Sequence, residues 1–393
     1  MTRTPAREAA VHPSRVPRLV VVGNPENRRV ELFRAAARDW PAPVEVLPWR
    51  ALAAGAVTLP AGALVRVDSP GEDAEVDRLL RGAEAPAEHG EIVGLAAWYD
   101  GFGAALLRLG DAVRDAGATL LNDPYEILVM FDKRACHARL GRAGVPVPPA
   151  LLPAPRDYGE LRELMGAAGW HRVFVKPAHG SSASGILALR AAAGRVLATT
   201  SVERASDGRL FNSLRVRAVR DEREIAAIVD RLAPDGLHVE RWFPKAGLAG
   251  RVIDLRVLVV AGTVTHVVVR ASRTPLTNLH LGNVRGDLAA LRAVMGAEAY
   301  AQALATCVRA ADGFPNSLHA GVDLMVGTGW RRHAVAEVNA FGDLLPGLLD
   351  ERGRDSYAAE LAAVRDGWPA RRPAAAAERA EPAERSARVE RVA

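Results

Sequence analysis

The chain contains 393 residues, of which 49% are hydrophobic and 25% are charged, and its formal net charge at pH 7 is +5. This length permits two or three compact units, and the composition is that of a globular protein. No apolar run approaches the roughly 18 residues of a membrane span, and no basic run is interleaved with aromatic residues. We therefore expect neither a membrane nor a nucleic acid as a partner.

The N-terminal segment and the cysteines favour a cytoplasmic protein. Residues 1–17 contain arginine and proline but lack the long apolar stretch of a secretion signal, and we expect them to be flexible. Cys136 and Cys307 have no Cys or His partners at the spacing of a structural zinc site, so we expect reduced thiols.

The first third of the chain alternates strand and helix patterns. Strands are predicted at residues 18–23, 44–47 and 63–67, and helices at 28–38, 74–81 and 98–116. This alternation predicts a doubly wound α/β domain over residues 18–123.

Longer strand-rich segments follow Asn122-Asp123-Pro124. Helices are predicted at residues 125–143, 156–168, 222–232 and 299–311, and the clearest strands at 173–175, 321–326 and 334–338. From residue 369 to 393 the chain contains mainly Ala, Arg, Glu and Pro and no aromatic residue, so we expect a disordered tail.

Lysine is rare in this chain. It occurs only at positions 133, 176 and 245, so 48 of the 51 basic residues are arginine. A lysine that persists in such a chain indicates a site that needs a compact ammonium, which binds phosphate as a point charge. Chance is the alternative, since three residues are few.

The segment VFVKPAHGSSASGI, residues 173–186, is a candidate phosphate-binding loop. A strand ends at Lys176 and a loop of small residues follows, which includes Ser181, Ser182 and Gly185. Backbone N–H groups and hydroxyls of such a loop can approach phosphate oxygens closely, although a plain turn has the same composition. The lysine precedes the glycines, so this is not the GxxxxGK[ST] loop.

Two predicted strands near residues 321–342 contain a candidate metal site. Glu337 and Asn339 alternate on one strand, and pairing across the turn at 327–329 brings Asp323 beside them. Two carboxylates and an amide oxygen suit Mg²⁺. The alternative is a hairpin edge with ordinary solvent-facing polar residues.

The segment LHVERWFPK and the strand VIDLRVLVV indicate a nucleotide site. The residues from Glu240 to Phe243 resemble a crossing between two lobes, where Trp242 or Phe243 can cover an adenine ring. Asp254 and Arg256 point the same way, and Asp254 can accept from ribose hydroxyls. A surface pair of Asp254 and Arg256 is the alternative.

The order of these segments resembles the ATP-grasp superfamily, and most closely its ribosomal-protein glutamate ligase and glutathione synthetase branch. The resemblance runs from residue 122 to 349. It rests on Asp132-Lys133 before VPVPP, Lys176 with GSSASG, VERWF, DLRVLVV, Arg270, NLHLGN, and VDLM with AEVNA.

The resemblance implies a two-lobed ATP-grasp fold, with a small lobe at residues 124–240 and a C-terminal lobe at 241–368, and allows a homo-oligomer. It also implies roles in binding Mg-ATP, with Mn²⁺ as an alternative metal. The implied phosphate ligands are Lys133, Lys176, Ser181, Ser182 and Gly185; the adenine site is Glu240, Arg241, Trp242 and Phe243; the ribose ligand is Asp254; the metal ligands are Asp323, Glu337 and Asn339; and the residues near the transferred phosphate are Arg256, Arg270 and Asn278.

The activity implied by the resemblance is ATP-dependent ligation of a carboxylate to an amine through an acyl phosphate. A kinase acting on a hydroxyl and an ATP-binding module without turnover are the alternatives. The sequence departs from the family at Leu276, where an arginine is expected and Arg273 is a candidate substitute, while Lys245 has no family match and is expected at the surface. The carboxylate and the amine, small molecule or peptide, stay open.

Overall fold

The computed structural model describes residues 16–180, 183–192, 194–342 and 345–368. Ser181, Ser182, the predicted tail and nearly all of the predicted flexible N-terminus lie outside these ranges. Within them the strands form three sheets. The strands are Leu19–Gly23 (β1), Glu45–Pro48 (β2), Leu64–Val67 (β3), Thr119–Leu120 (β4), Arg172–Pro177 (β5), Leu187–Ala192 (β6), Arg195–Arg204 (β7), Leu210–Val219 (β8), Leu237–Arg241 (β9), Gly247–Leu248 (β10), Arg251–Val260 (β11), Thr263–Ser272 (β12), Val284–Arg285 (β13), His319–Val326 (β14) and His333–Asn339 (β15).

The helices surround these sheets. They are Arg28–Ala36 (α1), Trp49–Ala53 (α2), Ala74–Arg81 (α3), Leu95–Asp115 (α4), Pro124–Phe131 (α5), Lys133–Arg142 (α6), Tyr158–Ala167 (α7), Glu222–Leu232 (α8), Leu288–Met295 (α9), Ala297–Asp312 (α10) and Ser356–Arg365 (α11). None of these described helices is long and apolar enough to cross a membrane.

The N-terminal sheet is parallel, with strand order β2-β1-β3-β4. Strand β1 is buried at every position, as expected for a central parallel strand that is covered on both faces. Val20 and Val22 face one core, and Leu19 and Val21 face another. The predicted doubly wound α/β arrangement is therefore confirmed.

A five-stranded antiparallel sheet, with order β8-β7-β6-β5-β9, forms what we call the small lobe together with α7 and α8. Strand β5 alternates: Val173 and Val175 belong to the hydrophobic core, whereas Phe174 and Lys176 lie on the opposite face. One face of this sheet thus packs against the helices, and the opposite face is available for a binding site.

A six-stranded antiparallel sheet, with order β13-β12-β11-β14-β15 and β10 on β11, forms the large lobe together with α9 and α10. Its apolar face, which includes Leu255 and Val322, packs in the same core as Val20 of the N-terminal sheet. The mixed α/β fold class is confirmed, while the predicted domain boundaries stay predictions.

The predicted helix at residues 125–143 is wrong in one respect, because it is two helices. Asp132 has φ −93° and ψ 106°, ends α5 and caps α6 by accepting from the backbone N–H groups of Arg134 and Ala135. An aspartate favours such a helix start, which breaks a continuous helical pattern without Gly or Pro. The break directs the start of α6, where Lys133 N–H donates to the Ala178 carbonyl, toward the small lobe.

Helix α11 was not predicted. Its Tyr357 and Leu361 pack with Leu19 and Phe33 of the N-terminal domain and with Leu258 of the large lobe. The segment after the last strand therefore returns to the N-terminal sheet.

Candidate active site

A cavity lies between the polar faces of the small-lobe and large-lobe sheets. Its described lining contains four cationic and four acidic side chains beside an apolar wall. The charged residues are Lys133, Lys176, Lys245, Arg270, Glu240, Asp254, Asp323 and Glu337. The apolar wall includes Phe174, Ile186, Leu276 and Met325.

On the small-lobe side, Lys176 and Glu240 form a buried ion pair. Residues Phe174 and Glu240 are cross-strand partners, as are Lys176 and His238, so all four share the cavity-facing side. Lys176 Nζ lies 2.6 Å from Glu240 Oε1, and His238 Nε2 lies 3.4 Å from Oε2. Burial opposes ionisation of Glu240, but the Lys176 charge and the His238 contact outweigh it and lower its pKa to about 2.

The candidate phosphate loop follows β5 and is anchored by Lys133. Lys133 Nζ donates to the Gly180 carbonyl at 2.7 Å, and burial lowers the pKa of this ammonium. Gly185 has φ +70°, and a Cβ built on it would lie 2.6 Å from Pro177 Cγ. Only glycine fits this position without displacing the loop. Gly180 and Ser184 line the cavity, whereas Ser181 and Ser182 lie outside the described residues.

On the large-lobe side, charged residues form a row across three strands. Arg256 pairs with Asp323, and Asp323 pairs with Glu337, so their side chains share one face of the sheet. Arg256 Nε lies 2.9 Å from Asp323 Oδ1. Asn339 pairs with Gly321 in the next row and donates to its carbonyl at 3.2 Å.

This row contains the oxygen ligands that a hard divalent cation requires. Burial raises the pKa of Asp323 although two arginines oppose it, while Lys133 and Lys176 outweigh burial and lower the pKa of Glu337. Two neighbouring buried carboxylates repel each other, and a cation between them relieves that repulsion. Both oxygens of Asp323 contact arginines, at 2.9 Å and 3.2 Å, so a metal ion would have to share this carboxylate with them. Two carboxylates with a nearby amide are ligand types that suit Mg²⁺, and in that respect the residues fit the predicted metal.

Asp254 contacts protein groups through both of its oxygens. Oδ1 accepts from Arg270 Nε at 2.7 Å, and Oδ2 accepts from Lys245 Nζ at 2.9 Å and from the Thr277 hydroxyl. Burial opposes ionisation, but Arg270 and Lys245 outweigh it and hold the pKa of Asp254 far below its usual range. This saturation does not favour the predicted contact with ribose.

Lys245 was expected at the surface, and that expectation is wrong. Its side chain is only 9% exposed and lines the cavity. Sequence reasoning missed it because Lys245 follows Pro244 in an irregular segment, where no periodicity shows which way a side chain points. The rarity of lysine was the one available signal.

The predicted aromatic cover of adenine is not found among the described lining residues. Trp242 packs against Phe174 at a centroid distance of 5.0 Å with the two rings tilted by 47°, and Phe243 packs at the turn containing Gly327. Arg241 is exposed. Phe174, which the strand alternation places on the same face as Lys176, is the aromatic residue among the described lining.

The loop between β12 and β13 closes one side of the cavity. Leu276 is 4% exposed and packs with Phe174, Ala188 and Leu281, so the position of the missing arginine is an apolar contact between the lobes. Arg273 is exposed and is not among the lining residues, so it does not replace that arginine.

The other predicted residues near the transferred phosphate have different positions. Arg270 lines the cavity and lies 3.2 Å from Asp323 Oδ2 through its Nη1. Asn278 also lines it, and its side-chain oxygen accepts from the His280 backbone N–H at the start of a short 3₁₀ helix, Leu279–Leu281. Arg256 lies beneath the lining, against Asp323.

No protein-family model and no curated protein matches the chain. Solved structures do: D-cycloserine synthetase DcsG aligns over 88% of this chain and 98% of its own, with a TM-score of 0.55 and 18% identity. The macrocyclase MdnC of Microcystis aeruginosa MRC, bound with precursor peptide MdnA, aligns over 88% of this chain and 99% of its own, with a TM-score of 0.52 and 10% identity. The ATP-grasp ligase PsnB complexed with a minimal precursor aligns over 89% of this chain and 99% of its own, with a TM-score of 0.51 and 18% identity.

The chain has the ATP-grasp fold. At these identities the likeness shows the fold alone. Within this ATP-grasp fold, the cavity described above lies between the two lobes. Apart from Lys133 of α6, its described lining residues come from β5, β9, β11, β12, β14, β15 or the segments that follow β5, β9 and β12. The closer resemblance to the glutamate ligase and glutathione synthetase branch stays a prediction.

Proposed function

We propose that this protein is an ATP-dependent carboxylate–amine ligase that forms an amide bond and releases ADP and phosphate. One observation carries the proposal. The paired carboxylates Asp323 and Glu337 face the same cavity as Lys133 and Lys176, beside a loop in which Gly185 admits no side chain. Oxygen ligands for a divalent cation opposite compact ammonium groups form a site for a metal-bound polyphosphate.

In this proposal the nucleotide binds in the cavity between the two lobes. Lys133, Lys176 and the loop ending at Gly185 contact the phosphates, and Phe174 with Met325 provides an apolar surface for the base. The charged side chains of the described lining are balanced in number, so an ATP polyanion gains little attraction without accompanying cations. This balance supports joint binding of ATP and metal.

Asp323, Glu337 and Asn339 would hold Mg²⁺, which when bound neutralises phosphate charge and orients the phosphates. Arg270, fixed by Asp254 at 2.7 Å and Asp323 at 3.2 Å, is held rigidly enough to stabilise charge on the transferred phosphoryl group. Arg256 supports the same row by holding Asp323.

The chemistry has two steps. A carboxylate oxygen of the substrate attacks the γ-phosphorus of ATP, the bond from that phosphorus to the bridging oxygen breaks, and ADP leaves with the electron pair. The amine nitrogen of the second substrate then attacks the acyl carbon, the bond from that carbon to the phosphate oxygen breaks, and inorganic phosphate leaves. The nitrogen loses one proton, so the products are an amide, ADP and phosphate.

The first experiment uses purified protein, Mg-ATP, pools of carboxylates and hydroxylamine as a surrogate amine. The pools include both amino acids and peptides, because the structures with this fold include a D-cycloserine synthetase and a macrocyclase bound with a precursor peptide. We expect hydroxamate and ADP in equal amounts with one pool. Glu337→Gln should lower both by on the order of 100-fold, because a metal-ligand charge is lost at nearly constant size.

The exposed residue Glu351 provides the matched control, since Glu351→Gln makes the same chemical change away from the cavity. Unchanged turnover in folded Glu337→Gln protein would refute the metal assignment. A stable phosphorylated product that needs no amine would identify a kinase. ATP binding without ADP release in any pool would identify a binding module.

A further inference from the structure

All three lysines of the chain line the same cavity. Lys133, Lys176 and Lys245 come from α6, β5 and the segment after β9, and they are separated by 43 and 69 residues. The other 48 basic residues are arginines, and among the described lining only Arg270 is one of them. The convergence of the rare residue on one cavity makes chance a poor explanation for Lys245.

The contacts of Lys245 leave part of its ammonium group unused. Nζ donates to Asp254 Oδ2 at 2.9 Å and to Thr277 Oγ1 at 2.8 Å. An ammonium has three N–H donors, and no third acceptor is found among the described residues. A buried donor without an acceptor is costly, so an acceptor from a ligand would complete the set.

The charge balance around Asp254 points the same way. Arg270 already holds Asp254 Oδ1 at 2.7 Å, and it also lies 3.2 Å from Asp323 Oδ2, which Arg256 holds as well. With Lys245, three cations contact the two carboxylates Asp254 and Asp323, so Lys245 is the cation that gives this cluster a positive charge beside the cavity. Its ammonium is compact enough to share Oδ2 with Thr277, where a planar guanidinium would require a wider space.

We propose that Lys245 is a third nucleotide-binding lysine, whose remaining N–H donates to a phosphate oxygen of ATP. Asp254 then anchors Lys245 and Arg270, and does not bind ribose. This inference rests on the proposed function, since it assumes that the cavity takes a nucleotide. A purely structural role, in which Lys245 only ties β11 to the loop containing Thr277, is the competing explanation.

The test compares binding of a non-hydrolysable ATP analogue and of adenosine, both with Mg²⁺, by displacement of a fluorescent ATP analogue. Lys245→Gln keeps hydrogen-bonding capacity toward Asp254 and Thr277 but removes the charge, and Lys245→Met removes both. We expect Lys245→Gln to weaken binding of the triphosphate analogue about tenfold or more, while the affinity for adenosine changes less than about twofold. Arg331→Gln, which removes an exposed cation near the turn between β14 and β15, is the control for a general loss of positive charge and should change neither.

The two explanations give different results. Equal weakening of the triphosphate analogue and adenosine by Lys245→Gln would overturn the phosphate contact and favour the structural role. Unchanged binding of both would overturn the inference and leave the proposed function intact. Failure of the wild-type protein to bind any nucleotide would instead overturn the proposed function, and this inference with it. If Lys245→Met does not fold, Thr277→Val is the alternative variant, because it removes one partner of Lys245 but keeps the ammonium. It should retain most of the preference for the triphosphate analogue over adenosine.

Discussion

Two buried ion networks of this protein have similar chemistry but different surroundings. In the N-terminal domain, Arg66 binds Asp68 at 2.9 Å and Glu360 at 2.7 Å, and all three side chains are at most 3% exposed. In the cavity, Asp254 binds Arg270 at 2.7 Å and Lys245 at 2.9 Å. In the first network one cation lies between two carboxylates, and Arg29 is a more distant second cation 3.9 Å from Asp68. In the second network one carboxylate lies between two cations, one of which also contacts Asp323 at 3.2 Å.

The surroundings of each network explain the difference. The guanidinium of Arg66 lies 5.1 Å from the ring centroid of Phe33 and 4.9 Å from that of Tyr357, so aromatic rings enclose it. The network around Asp254 lines a cavity, and together with Asp323 it has three cations for two carboxylates. Burial and shifted pKa values are common to both, so they do not identify a functional site without a cavity and an unsatisfied donor.

The largest expected effect is on stability, at Arg66. Arg66→Leu removes the cation that binds both buried carboxylates and leaves Asp68 with the longer contact to Arg29 at 3.9 Å, which should lower the free energy of unfolding by about 3–5 kcal/mol. Urea-induced unfolding measures this loss. The remaining folded protein should bind ATP normally, because Arg66 contacts α11 and not the cavity.

Arg38→Leu is the matched control, since Arg38 is exposed in the same domain and its replacement should change stability by no more than about 0.5 kcal/mol. If Arg66→Leu were as mild as the control, the closed network would not be a source of stability. If it weakened ATP binding in folded protein, the separation of the two networks would be wrong.

The strand patterns predicted more of the site than the connecting segments did. Alternation and the turn at residues 327–329 placed Asp323 beside Glu337, and the observed register pairs them directly. The same alternation on β5 places Lys176 and Phe174 on one face, although Phe174 was not among the predicted site residues. A strand fixes side-chain direction with a period of two, so these inferences needed only local information.

The features that were missed depend on contacts between distant segments. Lys245 reaches the cavity because its ammonium meets Asp254 and Thr277, which lie 9 and 32 residues further along the chain. The apolar side chains of helix α11 are buried against residues far away in the chain, such as Leu19 and Leu258. Neither relation appears in a local pattern, whereas the break at Asp132 has a local cause that a search for internal capping residues would find.

A backbone change on the cavity side should have a smaller effect on stability and a clear effect on binding. Gly185→Ala forces a Cβ to within 2.6 Å of Pro177 Cγ at φ +70°. We expect a loss of about 1–3 kcal/mol in stability and roughly tenfold weaker ATP binding, because the loop must move. Gly194→Ala is a close control, since Gly194 has φ +72° but open space around it. Equal effects of the two changes would show that backbone strain alone, and not the contact with Pro177, is responsible.

The smallest expected effect is on the pH dependence of stability, and it concerns a buried histidine that is neutral in the folded state. His179 stacks on Tyr99 at a centroid distance of 3.9 Å, and burial lowers its pKa to about 4, although the Asp132 charge opposes this shift. The unfolded chain binds a proton at this histidine near pH 6.5, so it holds more protons than the folded state between about pH 6.5 and 4. Stability should therefore fall as the pH is lowered through this range, and the melting temperature of His179→Asn should fall less steeply. His89→Asn, at an exposed position, is the control and should keep the wild-type slope. A slope that is identical in His179→Asn and wild type would mean that His179 is protonated in the folded state, and that the start of the phosphate loop tolerates a buried positive charge beside Lys133.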